Sequence, residues 1–130
     1  MLLPKITALY AALNAVIMIV LALLVVRQRA RAKAGIGDKG DPQLALAIRA
    51  HGNNAEYVPY ALILLLLVEL GQWPAWVVHT LGLVLTVGRV AHGYGLSRSS
   101  GTSPGRALGV LCTWVMILVA AALSLRTALG

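Results

Sequence analysis

Residues Pro4 to Lys33 read PKITALYAALNAVIMIVLALLVVRQRARAK. From Pro4 to about Val26 the run is apolar, with Lys5 and Asn14 as its main polar interruptions. At about 1.5 Å of rise per residue, a helix of this length crosses a hydrocarbon core of about 30 Å. Arg27-Gln28-Arg29-Ala30-Arg31-Ala32-Lys33 then places four cations within seven residues and ends the first span. A cleaved signal peptide has a shorter apolar stretch with its basic residues in front of it. Here the order is reversed, so the segment reads as a retained membrane helix.

The rest of the composition agrees. Of 130 residues, 59% are apolar and 12% charged, and the mean hydropathy is +0.83. A soluble domain carries about 25% charged residues. These values exclude a disordered chain and an ordinary soluble enzyme. The length suggests one domain, residues 1–130. The formal net charge of +7 is too segregated for a nucleic-acid-reading face and suits basic loops beside a membrane. Cys112, alone in an apolar run, reads as a small buried hydrophobe.

Three further helices follow. Asp41-Pro42 is a helix start, with Asp as N-cap and Pro in the first turn, and this second helix runs to about Leu70. Its first half is mixed and its second half apolar, with a loosening expected at Pro59. Gly71-Gln72-Trp73-Pro74 makes an uncharged turn, and Trp73 and Trp76 suit the membrane boundary. The third helix spans about Ala75 to Leu96 and the fourth about Pro104 to Leu129. The fourth opens with Gly105-x-x-x-Gly109, which permits close helix contact. The fold class is therefore all-α, a bundle of four transmembrane helices. Gly35-Ile36-Gly37-Asp38-Lys39-Gly40 spells G-x-G-x-x-G, but a membrane helix precedes it and Asp-Pro follows, so no nucleotide site is expected. The loop after the first helix holds Arg27, Arg29, Arg31, Lys33 and Lys39, and the one after the third holds Arg98 and Arg106. Positive-inside places both in the cytoplasm and both termini outside.

An ionisable residue within a membrane helix is a functional hypothesis by default. Arg49, Asn53 and Glu56 lie four and three apart, on one face of the second helix, and Tyr60 continues it. Arg89 and His92 share a face of the third. Glu56 and Arg89 are natural partners, as a structural ion pair between these helices. Arg27 and Arg106 add positive charge from the same side. Such a cluster at the membrane boundary suits an anionic ligand, since guanidinium groups grip carboxylates; lipid phosphate is the alternative for the loop arginines. Glu69 is expected at the solvated interface and His79 as a hydrogen-bonded structural residue. His51, His79 and His92 lack metal-ligand spacing, so no metal is expected. No G-x-S-x-G or Cys/His arrangement supports a covalent hydrolase.

Arg49-Ala50-His51-Gly52-Asn53-Asn54-Ala55-Glu56-Tyr57-Val58-Pro59 reads R-x-x-x-N-x-x-E-Y-x-P. It resembles the second-helix signature of the MAPEG superfamily, the membrane-associated proteins in eicosanoid and glutathione metabolism. Gly88-Arg89-Val90-Ala91-His92 is similar to the third-helix segment of its prostaglandin E synthase branch, and the short chain resembles bacterial members. The resemblance implies a homotrimer of four-helix subunits that binds glutathione between neighbours near the cytoplasmic side. By position, Arg27, Arg49, Asn53, Glu56, Tyr57 and His92 resemble glutathione-site residues. Arg106 resembles the fourth-helix arginine that stabilises the glutathione thiolate, with Arg98 as a rival for that place.

Leu96 stands where several active members have tyrosine, and Gly52 where the prostaglandin branch has arginine. The function implied is a glutathione-dependent transferase or peroxidase of the microsomal glutathione S-transferase type, acting on lipophilic electrophiles. The alternative is a non-catalytic glutathione- or lipid-binding scaffold in the inner membrane. A proton-coupled exporter would be expected to carry a glutamate in the first helix, which has no acid.

Overall fold

The computed structural model describes residues 3–98 and 103–130, with the side chains of 96–98 outside that description. Its elements are four helices: α1 (Lys5–Ala32), α2 (Pro42–Leu70), α3 (Ala75–Arg98) and α4 (Pro104–Leu129). Three of them, α1, α3 through Gly95, and α4, are long and apolar enough to cross a membrane. The polar first half of α2 separates it from these. The exterior is apolar: Leu13, Val16, Ile19 and Leu23 of α1, and Leu111, Trp114 and Leu118 of α4, are all exposed. Lipid is the solvent such a surface calls for.

The cationic run does not stop α1, which passes Val26 and ends at Ala32, with Lys33 left-handed at φ 49°. Arg, Gln, Ala and Lys favour helix, and cations in the last turn suit the negative end of the helix dipole. What ends at Val26 is the apolar surface. Asp41 caps α2 by accepting from the Leu44 N–H at 2.8 Å, and it pairs with Arg31 at 2.6 Å. The Leu44 bond and Arg31 hold its carboxyl below the usual carboxylate range. Its contribution is present above the ordinary carboxylate pKa and is lost as pH falls through the lowered value. Helix α2 continues unbroken through Pro59.

The helices meet along an apolar core that includes Ala61, Leu65 and Val68 of α2, Val78 and Leu85 of α3, and Met116 and Ala120 of α4. Helices α3 and α4 approach closely. A methyl group built on Gly109 would lie 2.5 Å from the Gly88 carbonyl and 2.6 Å from His92 Cβ. Gly105-x-x-x-Gly109 is therefore the close contact expected of it. Gly109→Ala should force the helices apart and cost about 1–3 kcal/mol, read as a lower unfolding midpoint in detergent.

At the opposite end of the bundle Glu69 is half-buried and does more than face the interface. Its carboxylate accepts from the backbone N–H groups of Ile6, at 2.9 Å, and Thr7, at 2.6 Å. Pro4, the N-cap of α1, offers no side-chain cap, so α2 supplies one. A carboxylate at a helix N-terminus satisfies orphan donors and suits the dipole. Glu69→Ala should speed amide hydrogen exchange at Ile6 and Thr7 by roughly fivefold, the scale of one cap of about 1 kcal/mol. Unchanged exchange at those two amides would count against the cap. His79 has the expected partner, with its Nδ1 at 3.2 Å from the Tyr10 hydroxyl.

Candidate functional site

Arg89 is among the largest fully buried side chains, 1% exposed. Nη1 donates to Asn53 Oδ1 at 2.8 Å and Nη2 to the Gly109 carbonyl at 3.1 Å. The guanidinium lies 5.9 Å from the Tyr57 ring centroid. One side chain of α3 thus ties α2 to α4. The expected Glu56–Arg89 ion pair is not formed: Glu56 pairs instead with Arg49 on its own helix, at 3.2 Å. Arg49, Asn53 and Glu56 share a face of about 60° of arc. Asn53, at its inner edge, is buried, while Arg49 and Glu56, at its outer edge, are more than half exposed. The structure accordingly turns Asn53 toward Arg89, where it holds the arginine rather than facing outward.

His92, 3% exposed, lies one turn beyond Arg89 and packs on Gly109. The first turn of α4 packs just beyond it, where a methyl group built on Gly95 would lie 2.9 Å from the Arg106 backbone nitrogen. Arg106 is half-buried in the first turn of α4, and its backbone N–H donates to the N-cap hydroxyl of Ser103 at 3.3 Å. That places Arg106 at the positive end of the α4 dipole. Arg27 is exposed on α1, where the apolar surface ends; among the described residues no hydrogen bond ties its side chain to the cluster. The side chains of Leu96 and Arg98 lie outside the described residues.

Beside the cluster a groove of about 440 Å³ runs between α2 and α4. Glu56 and Tyr57 form its polar end, and Trp114, Ile117 and Leu118 continue it as apolar surface. A cationic cluster joined to an apolar groove can hold an anion beside a lipophilic molecule. Among the described residues no group of three or more His, Cys, Asp or Glu could hold a metal ion.

The sequence that folds this way has counterparts among known proteins. The sequence profile of the MAPEG family matches residues 7–126, which takes in all four helices. The chain belongs to the MAPEG family. MAPEG proteins are four-helix membrane bundles, so this chain is an integral membrane protein. It is 38% identical over 114 residues to "Inner membrane protein YecN" of Escherichia coli strain K12, covering 88% of this chain and 86% of the relative. The protein of the same name from Escherichia coli O6:H1 gives the same figures.

Sequence reasoning missed two parts of this MAPEG bundle. The Gly109 carbonyl is an acceptor for Arg89, and a backbone acceptor carries no side-chain signal. Asn14, 1% exposed, donates to Thr86 Oγ1 and to the Tyr10 carbonyl, both at 2.9 Å. The spacing of Thr7, Tyr10 and Asn14, three and four residues apart, was the sign that one stripe of α1 is polar and buried.

Proposed function

We propose that this MAPEG protein is a glutathione-dependent transferase or peroxidase for lipophilic electrophiles. It would lie in the inner membrane as a homotrimer, with the basic loops cytoplasmic and both termini outside. The observation that carries the reading is the exposed Arg49–Glu56 pair on α2, at the end of an apolar groove, with Asn53 of the same face bonded to buried Arg89. Glutathione has two carboxylates, an ammonium group, peptide groups and a thiol. The exposed Arg49–Glu56 pair offers both signs of charge at 3.2 Å on an open face, so the donor set fits. Bound glutathione would supply a sulfur nucleophile.

Arg49 holds a carboxylate and Glu56 the ammonium group, with Tyr57 and His92 beside them. Asn53 acts through Arg89, which fixes α2 against α3 and α4. Arg27 adds positive charge from α1. Arg106, with the N-terminus of α4, favours negative charge on sulfur and so lowers the thiol pKa. The α2–α4 groove holds the electrophile and keeps water from it. Titrating the purified protein with glutathione, while following the ultraviolet absorbance of thiolate, tests the reading. A saturable rise at neutral pH is expected; no rise with intact protein would overturn it. Leu96, at a tyrosine position of active members, favours the second reading, a non-catalytic glutathione- or lipid-binding scaffold. Failure to turn over any of a panel of hydrophobic electrophiles, with glutathione bound, would identify that case.

A further inference from the structure

Asn54 of α2 is 2% exposed, and its amide is poorly served by the chain. Nδ2 donates to the thioether of Met18 on α1, at 3.6 Å, and Oδ1 accepts no hydrogen bond among the described residues. Two other buried polar atoms are in the same state: Asn14 Oδ1 on α1 and Arg89 Nε on α3. Within a bilayer no bulk solvent reaches such groups, so each is costly until something bonds to it.

All three atoms belong to the seam where α1, α2 and α3 meet. Asn14 and Met18 are four residues apart, on one face of α1. Asn53, next in sequence to Asn54, holds Arg89 at 2.8 Å. One turn further along the seam Leu21 packs with Ala50, and a methyl group built on Gly93 would lie 3.4 Å from Leu21. The seam therefore offers two acceptors and one donor. An anion would answer the guanidinium and leave both amide oxygens unmet. A cation would suit the oxygens and be repelled by Arg89. A small neutral molecule that both donates and accepts meets all three, and water does so in the least volume.

We infer that the α1–α2–α3 seam is a buried water site, in which bound water donates to Asn54 Oδ1 and Asn14 Oδ1 and accepts from Arg89 Nε–H. The Nη atoms of Arg89 are already held by Asn53 and the Gly109 carbonyl. Water on Nε completes the donors of that guanidinium, and so supports the side chain that ties α2 to α4.

Met18 is the natural reporter, because a hydroxyl radical formed from bound water oxidises the thioether beside it. Met116, 1% exposed in the apolar core with Leu65 and Leu85, is the dry control. The experiment is a pulse of X-ray radiolysis on the full chain in nanodiscs of saturated phosphatidylcholine, with oxygen uptake at each methionine read by mass spectrometry. Uptake is expected at Met18 and not at Met116. Asn54→Leu keeps the volume and removes the amide, so the Met18 label should be lost. Val20→Met places a thioether two residues further along α1 on the lipid-facing side, where Val20 is 51% exposed. That thioether should stay unlabelled, and it keeps the test decisive if Asn54→Leu does not fold. Met18 as unreactive as Met116 would overturn the proposal. Equal labelling of Met18 and the thioether introduced by Val20→Met, or a Met18 label unchanged in Asn54→Leu, would also overturn it, since the radicals would then arrive from the lipid side.

Discussion

Arg89→Ala should destabilise the bundle by about 2–5 kcal/mol, the range for removing a large buried side chain. Three losses coincide. A cavity opens where α2, α3 and α4 meet, Asn53 Oδ1 loses its donor, and the Gly109 carbonyl loses one of two side-chain donors, since Thr113 Oγ1 also reaches it at 2.8 Å. Arg89→Met keeps much of the volume and removes the buried charge, so its cost should be much smaller. The measurement is the unfolding midpoint of both variants in one detergent. Equal losses would mean that charge and hydrogen bonds, rather than packing, dominate at this position.

Arg106→Ala is the second large effect. If Arg106 and the α4 N-terminus favour negative charge on sulfur, its removal should lower turnover by at least about 100-fold, as for loss of a dedicated charge-stabilising donor. Glutathione affinity should change far less, because Arg49 and Glu56 lie on another helix. The pH profile separates this from a structural effect: the limb that reports thiol ionisation should move to higher pH in Arg106→Ala, and Arg106→Lys should restore part of the shift. Unchanged turnover would remove Arg106 from the mechanism.

The fold was legible because a bilayer imposes simple rules. The apolar lengths, the Asp41-Pro42 start and the Gly105-x-x-x-Gly109 contact lie in short stretches, and each stands where expected. The end of α1 was misplaced because apolar surface was equated with helix, although Arg and Lys carry a helix well into water. The site was legible as a set of residues and less so as a set of bonds. Arg49, Asn53 and Glu56 share a face, but which edge of that face turns inward depends on how α2 rolls against α3. That roll sends Asn53, not Glu56, to Arg89. The capping role of Glu69 was not legible for a related reason, since its partners are backbone N–H groups of another helix.

The Arg49–Glu56 face of α2 is the proposed glutathione site. The most direct test is isothermal calorimetry of glutathione binding to the detergent-purified protein, with Glu56→Gln and Arg49→Ala as controls. Saturable binding by the wild-type chain is expected, weakened by at least about tenfold in each variant, the size of one charged hydrogen bond. Absence of binding to the intact, folded protein, or binding unchanged in both variants, would contradict it.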